Sequence, residues 1–166
     1  MRRAVMLTPA ALILAVTVAS GSTAAGHSAR TAATKHAVVK TRHGKLGTYL
    51  ADGRGRTLYL FRKDQGPRSR CAGACAQDWP PVTTSERPEA EGGAKPSMLS
   101  THRRAGGAKQ VVYNGHPLYR YAGDTAAGQT NGQGLNAFGA RWYVVSPSGR
   151  AIRATGASAP AAPSPY

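Results

Sequence analysis

The residues with chemical potential recur in two segments. Gly55 to Asp64 reads GRTLYLFRKD, and Gly115 to Asp124 reads GHPLYRYAGD. Each sets two aromatics two positions apart and an aspartate three positions later: Tyr59, Phe61 and Asp64, then Tyr119, Tyr121 and Asp124. Two carboxylates related by a repeat could form an acid–base pair, but such pairs need a defined separation that a sequence does not supply. The plainer chemistry is a turn, in which an aspartate just past a strand accepts backbone N–H groups and fixes the loop. That second role is the expectation for Asp64 and Asp124.

The other reactive side chains are few. Cys71 and Cys75 are the only cysteines, and in an exported chain they are expected to pair as a structural disulfide. A loop this small is braced by roughly 2 kcal/mol in the chain-entropy picture. Redox chemistry is the alternative, yet Cys-x-x-x-Cys has neither the spacing nor the βαβ context of thioredoxin-like sites. The five histidines, His27, His36, His43, His102 and His116, show no metal spacing. No metal and no cofactor is expected, although a copper or haem site assembled from dispersed Tyr, His and Met98 stays open. GQTNGQG, from Gly128 to Gly134, lacks the Lys and following helix of a phosphate loop and reads as a flexible surface loop.

The elements that must position these residues are strands. LGTYLAD, GRG and RTLYLF predict one hairpin; KQVVY, NG and HPLYRY predict a second around an Asn-Gly turn; WYVV, SPSG and RAIRA predict a third. Helix signals are poor, with at most a short turn between Pro96 and Arg104. An offset of 60 aligns Tyr59 with Tyr119, Phe61 with Tyr121 and Asp64 with Asp124, and a tryptophan follows each copy, Trp79 and Trp142. Such self-similarity argues duplication. The predicted fold is all-β: two pseudo-repeats of antiparallel hairpins packed as a small sandwich or barrel. Alternation along a strand puts Tyr59 with Phe61, and Tyr119 with Tyr121, on one face. The opposite face carries Leu58 and Leu60 in one copy, Leu118 and Arg120 in the other. The aromatic faces are therefore expected to point into a core, with an exposed aromatic platform as the alternative.

These residues resemble the secreted-repeat, lipoprotein-15-like proteins, which carry a Tyr-x-(Phe/Trp/Tyr)-x-x-Asp motif. The motif stands here as Tyr59-Leu60-Phe61-Arg62-Lys63-Asp64 and Tyr119-Arg120-Tyr121-Ala122-Gly123-Asp124. CAGACAQDWPPV, KQVVYNGHPLY and GQTNGQG are similar to segments that accompany the motif copies. The resemblance spans roughly Leu46 to Val145. It implies an exported, β-rich envelope or extracellular protein with no established activity. Many such proteins are lipid-anchored; with no lipobox cysteine, this sequence implies a released or loosely wall-associated form.

The ends and the charge complete the picture. Arg2 and Arg3, the apolar run from Ala4 to Ala19 and small residues after it have the layout of a signal peptide over residues 1–24. Residues 25–38 read as a flexible lead, 39–84 as repeat one, 85–97 as a Gly/Pro-broken linker, 98–153 as repeat two and 154–166 as a disordered Ala/Pro tail. No other apolar run has membrane length. The chain carries 22 Lys+Arg against 7 Asp+Glu, a net charge of +15. Such a surface attracts polyanions, so an anionic envelope polymer is the expected partner. No reader motif points to sequence-specific nucleic-acid binding. The functional expectation is a secreted, non-catalytic module, with a redox accessory or a protein-interaction module as alternatives.

Overall fold

The computed structural model describes residues 36–153. The expected signal peptide and Ala/Pro tail lie outside the described residues, as does most of the lead. Its last residues are ordered against the domain: Ala37 is buried, and its carbonyl accepts the Glu89 N–H at 2.9 Å.

The elements run β1 (Val38–Gly44), β2 (Gly47–Asp52), β3 (Tyr59–Phe61), α1 (Ala74–Asp78), β4 (Thr83–Thr84) and β5 (Glu89–Glu91), then a 3-10 turn (Pro96–Met98). There follow β6 (Leu99–Arg103), β7 (Lys109–Tyr113), β8 (His116–Pro117), β9 (Asn136–Ala137) and β10 (Ala140–Val144). They form three small sheets, ordered β2-β1-β5, β3-β10-β9 and β4-β7-β6 with β8 added on β7. All pairings are antiparallel except β1 with β5. The all-β architecture matches the sequence, and the sheets close no barrel.

All three expected hairpins form, two of them as short ones. β7 and β8 turn at Asn114 and Gly115, whose φ values of 48° and 79° are what a tight hairpin turn requires. Ala51 bridges Thr57, and Val145 bridges Ala151. β1, β4, β6 and β9 were not expected as strands, and β6 follows the short turn expected between Pro96 and Arg104; α1 and β5 were also unforeseen. α1 is one turn long, too short to give a helical period, and buries Cys75. β5 falls inside the expected linker. Pro88 lies before it and Gly92 after it, so Glu89–Glu91 is free to extend along β1, with Ala90 inward and both glutamates exposed.

The hydrogen bonds show why the chain is duplicated. Leu58 N–H donates to Leu50, Val145 N–H to Leu58, and Leu50 N–H to Val145. In the other half Leu118 N–H donates to Val111, Val82 N–H to Leu118, and Val111 N–H to Val82. The two triads are equivalent, and each is crossed. Val145 belongs to repeat two but completes the strands of repeat one, and Val82 does the reverse. Likewise β3 pairs with β10, setting Phe61 against Trp142 and Tyr59 against Val144.

The crossed strands lie between two cores. Leu58, Leu60 and Leu118 enter an aliphatic cluster with Val39, Leu50 and Val111, whereas Tyr59, Phe61 and Tyr119 enter an aromatic one with Trp79 and Trp142. The aromatic face points inward, as expected. The opposite face is buried too, because the aliphatic cluster covers it. Because each half lacks a strand that the other supplies, residues 36–84 and 85–153 made as separate chains are expected to be unfolded alone and structured when mixed. Circular dichroism before and after mixing checks this.

Candidate functional site

The two motif copies meet at their first tyrosines. Tyr59 and Tyr119 lie opposite each other and exchange both backbone hydrogen bonds, at 2.9 and 3.0 Å. Their side chains then cross as well. The Tyr59 hydroxyl donates to Asp124 Oδ2 at 2.5 Å, and the Tyr119 hydroxyl lies 2.8 Å from Asp64 Oδ2. Each tyrosine therefore serves the other copy's aspartate. Each aspartate also closes its own loop, Asp64 accepting the Arg70 N–H at 2.7 Å and Asp124 the Asn131 N–H at 2.9 Å. The loop-fixing role expected for the aspartates is present; the exchange between copies is additional.

Burial raises the pKa of Asp64, against the opposing pull of Arg70 N–H and Tyr119. Burial likewise raises Asp124, against Tyr59 and Asn131 N–H. Burial and then the facing carboxylate drive Tyr59 well above the usual phenol range, and the same two causes raise Tyr119. Both hydroxyls thus remain protonated donors across the physiological range.

Behind the tyrosines the remaining aromatics form a column. Phe61 stacks on Trp142 at 4.0 Å, Trp142 on Trp79 at 3.9 Å, and Trp79 meets Tyr121 at 4.4 Å with a 31° tilt. Tyr59 and Tyr119 close the column edge-on, against Trp79 at 5.3 Å and Trp142 at 5.1 Å. Contacts of this kind contribute about 0.5–1.5 kcal/mol per pair beyond area burial. Three of the four motif aromatics are at most 2 % exposed, and Tyr121 is half-buried at the column's end. No continuous exposed platform is formed. The Gly128–Gly134 segment is not a loose surface loop at its centre. Gly132 is buried, its N–H donates to the Tyr59 hydroxyl, and a Cβ there would come within 2.7 Å of the Trp79 ring.

Cys71 and Cys75 are joined and buried beside these rings. The carbonyl of Cys71 accepts Arg104 Nη2 at 2.6 Å, and Arg104 Nη1 donates to Ser69 Oγ and to Gln110 Oε1. Ser69 Oγ in turn lies 2.7 Å from the Tyr119 hydroxyl. Sequence reasoning missed Ser69, Arg104 and Gln110, since no spacing relates them. It also missed Asp52. Asp52 Oδ1 accepts the N–H groups of Arg54 and Arg56, while Oδ2 accepts Arg120 Nε at 2.7 Å and Arg56 Nε at 3.2 Å. Burial pushes the Asp52 carboxyl up, but the Arg56 N–H and the Arg120 guanidinium outweigh it and hold the carboxyl below its ordinary range. Among the described residues, no group of three or more His, Cys, Asp or Glu could hold a metal ion.

A family model for a secreted repeat of unknown function, lipoprotein-15, matches residues 40–83 and again 100–146, together more than half of the chain. The chain belongs to this secreted-repeat family. The two matched segments are the two halves that exchange strands, so the family's unit is half of the folded domain. No curated protein matches the chain, and neither does any solved structure. The family is described as secreted, and among the described residues no helix is long and apolar enough to cross a membrane.

The crossed pairing of this secreted-repeat protein is measurable. Tyr59→Phe and Asp124→Asn should each cost about 1–3 kcal/mol, because each leaves a buried partner unpaired. Double-mutant cycles by urea denaturation should show coupling for Tyr59 with Asp124 and for Tyr119 with Asp64. Coupling within one motif copy should be near zero. Asp52→Asn strands the Arg120 charge and should cost about 3 kcal/mol near neutral pH. A carboxyl whose folded pKa is depressed contributes stability above its unfolded value and loses it as pH falls through the folded one. The measured cost of Asp52→Asn should therefore shrink as the pH is lowered through the carboxylate range.

Proposed function

We propose that this protein is a secreted, non-catalytic binding module that associates with anionic polymer of the cell envelope. One observation supports it most directly: among the described residues, exposed cations far outnumber exposed carboxylates, because the fold engages three of its seven acids internally. Of the seven acids, Asp52 and Asp124 are buried and Asp64 is half-buried, each engaged inside the fold, while Asp78 and three glutamates are exposed. Glu86, Glu89 and Glu91 share one segment, where His36 pairs with Glu86 at 3.5 Å and Glu89 at 2.5 Å. Arg42, Arg54, Arg62, Lys63, Arg141 and Arg150, by contrast, are exposed on several elements. A surface on which cations so outnumber carboxylates draws a polyanion without needing a shaped groove. The motif residues argue against catalysis, since Tyr59 and Tyr119 stay protonated and the Asp64 and Asp124 carboxylates are already hydrogen-bonded.

Sedimentation with purified cell walls tests this. The protein should co-sediment at low salt and be released as the Debye length shrinks from about 10 Å at 0.1 M to about 3 Å at 1 M. Failure to bind walls or isolated anionic wall polymer at low salt would remove the proposal.

A further inference from the structure

One concavity on the surface has a consistent sign. A cleft of about 260 Å³ opens between the chain leading into the disulfide and the turn that joins β6 to β7. Arg68 and Ser69 line it from one side, and His102, Arg103 and Arg104 from the other; no Asp or Glu lines it. Arg104 is the fixed point. Its three hydrogen-bond partners, Ser69 Oγ, Gln110 Oε1 and the Cys71 carbonyl, are all uncharged. The guanidinium is thus held in place without being neutralised. The nearby Asp64 carboxylate attracts it, but that carboxylate is engaged by Tyr119 and the Arg70 N–H. Arg103 Nη1 donates to the Gly107 carbonyl at 3.0 Å, again a neutral partner.

Three guanidinium groups on two walls suit a tetrahedral oxyanion, which accepts hydrogen bonds in several directions, better than a planar carboxylate, which accepts in one plane. The volume leaves room for a substituent beyond the phosphoryl oxygens. We propose that this cleft binds a phosphoryl group, presented as a phosphate mono- or diester. The disulfide and Arg104 preorganise it: the bridge holds the Cys71 carbonyl, and that carbonyl holds the guanidinium. This goes beyond attraction of a polymer to the whole surface, since it localises one small group at one place.

The test is titration of the ¹⁵N-labelled domain with inorganic phosphate and with glycerol phosphate at constant ionic strength, acetate serving as the planar anion. Saturable amide shifts confined to residues 68–72 and 102–105 are expected with both phosphates and not with acetate. Arg68→Ala with Arg103→Ala should weaken binding roughly tenfold or more, while Lys45→Ala with Arg153→Ala, the same charge change outside the cleft, should leave it unaltered. Thermal melts establish that both variants are folded; if the first is not, Arg68→Ala alone should reproduce its loss. Equal losses in the two pairs, equal response to acetate, or shifts spread over the whole surface would overturn the cleft. Glycerol phosphate that competes with wall polymer for the cleft assigns the phosphate source to the polymer. Phosphate binding without wall binding leaves the cleft standing and removes only the polymer proposal.

Discussion

The pair of backbone hydrogen bonds between Tyr59 and Tyr119 sets the register of the whole domain. Sliding one motif strand by a residue would reverse its faces. Leucines would then occupy the ring column, and the tyrosines would enter the aliphatic cluster with hydroxyls far from any acceptor. Because both faces of these strands are buried, hydrophobicity alone selects the register weakly. The hydroxyls do it better: only when the two tyrosines face each other does each reach the other copy's aspartate. A buried donor without an acceptor costs about 1–3 kcal/mol, and a slip would take the cross-copy acceptor from both hydroxyls and one partner from each carboxylate.

The same exchange explains how two similar units become one cooperative domain with different surfaces. The hydrogen bonds that equate Leu50 with Val111 also equate Asp52 with Tyr113. On one side of the domain Leu60 and Tyr113 share the aliphatic cluster. At the equivalent place on the other side, Arg120 meets Asp52 at 2.7 Å. One architectural position is thus filled by an apolar pair in one copy and an ion pair in the other. An ion pair in such a place adds little net stability over an apolar one. What it changes is composition: it brings Arg54 and Arg56 to the Asp52 turn, held by their backbone N–H groups.

The legible part of the fold was the part written by local chemistry. Asn114-Gly115 marks its turn because both positions need positive φ, and the alternation around Tyr59 and Phe61 marks a strand with an aromatic face. The offset between copies exposed the duplication. The crossing of the copies was not legible, because strands paired within one repeat and strands exchanged between repeats have identical local patterns. β5 was hidden by the Pro and Gly residues that bound it, and α1 by its length of five residues. At the site, Asp64 and Asp124 were legible as loop-closing residues, but their tyrosine partners lie 55 and 65 positions away, and no spacing rule reaches that far. Arg104 was equally invisible, since its role depends on a carbonyl 33 positions away.

These contacts also separate what the motif does from where function can reside. The Tyr-x-aromatic-x-x-Asp pattern resembles a reactive constellation, yet its first tyrosines and its aspartates are hydrogen-bonded inside the domain. A tyrosine whose pKa is raised by burial and a facing carboxylate is a poorer nucleophile or base than a free one. A carboxylate that already accepts a hydroxyl and an N–H has half of its lone-pair sites committed to the fold. The motif therefore acts as a scaffold, and its chemistry is spent on joining the copies. What differs between the copies is the loop each aspartate closes: in one, a disulfide-braced segment that carries Arg68 and Arg70; in the other, a glycine-rich segment packed on Trp79. The scaffold holds both loops by the same device, so each can vary its outward residues without disturbing the join. The basic, braced loop is the one that meets a second cationic wall, and that is where the fold concentrates unneutralised charge.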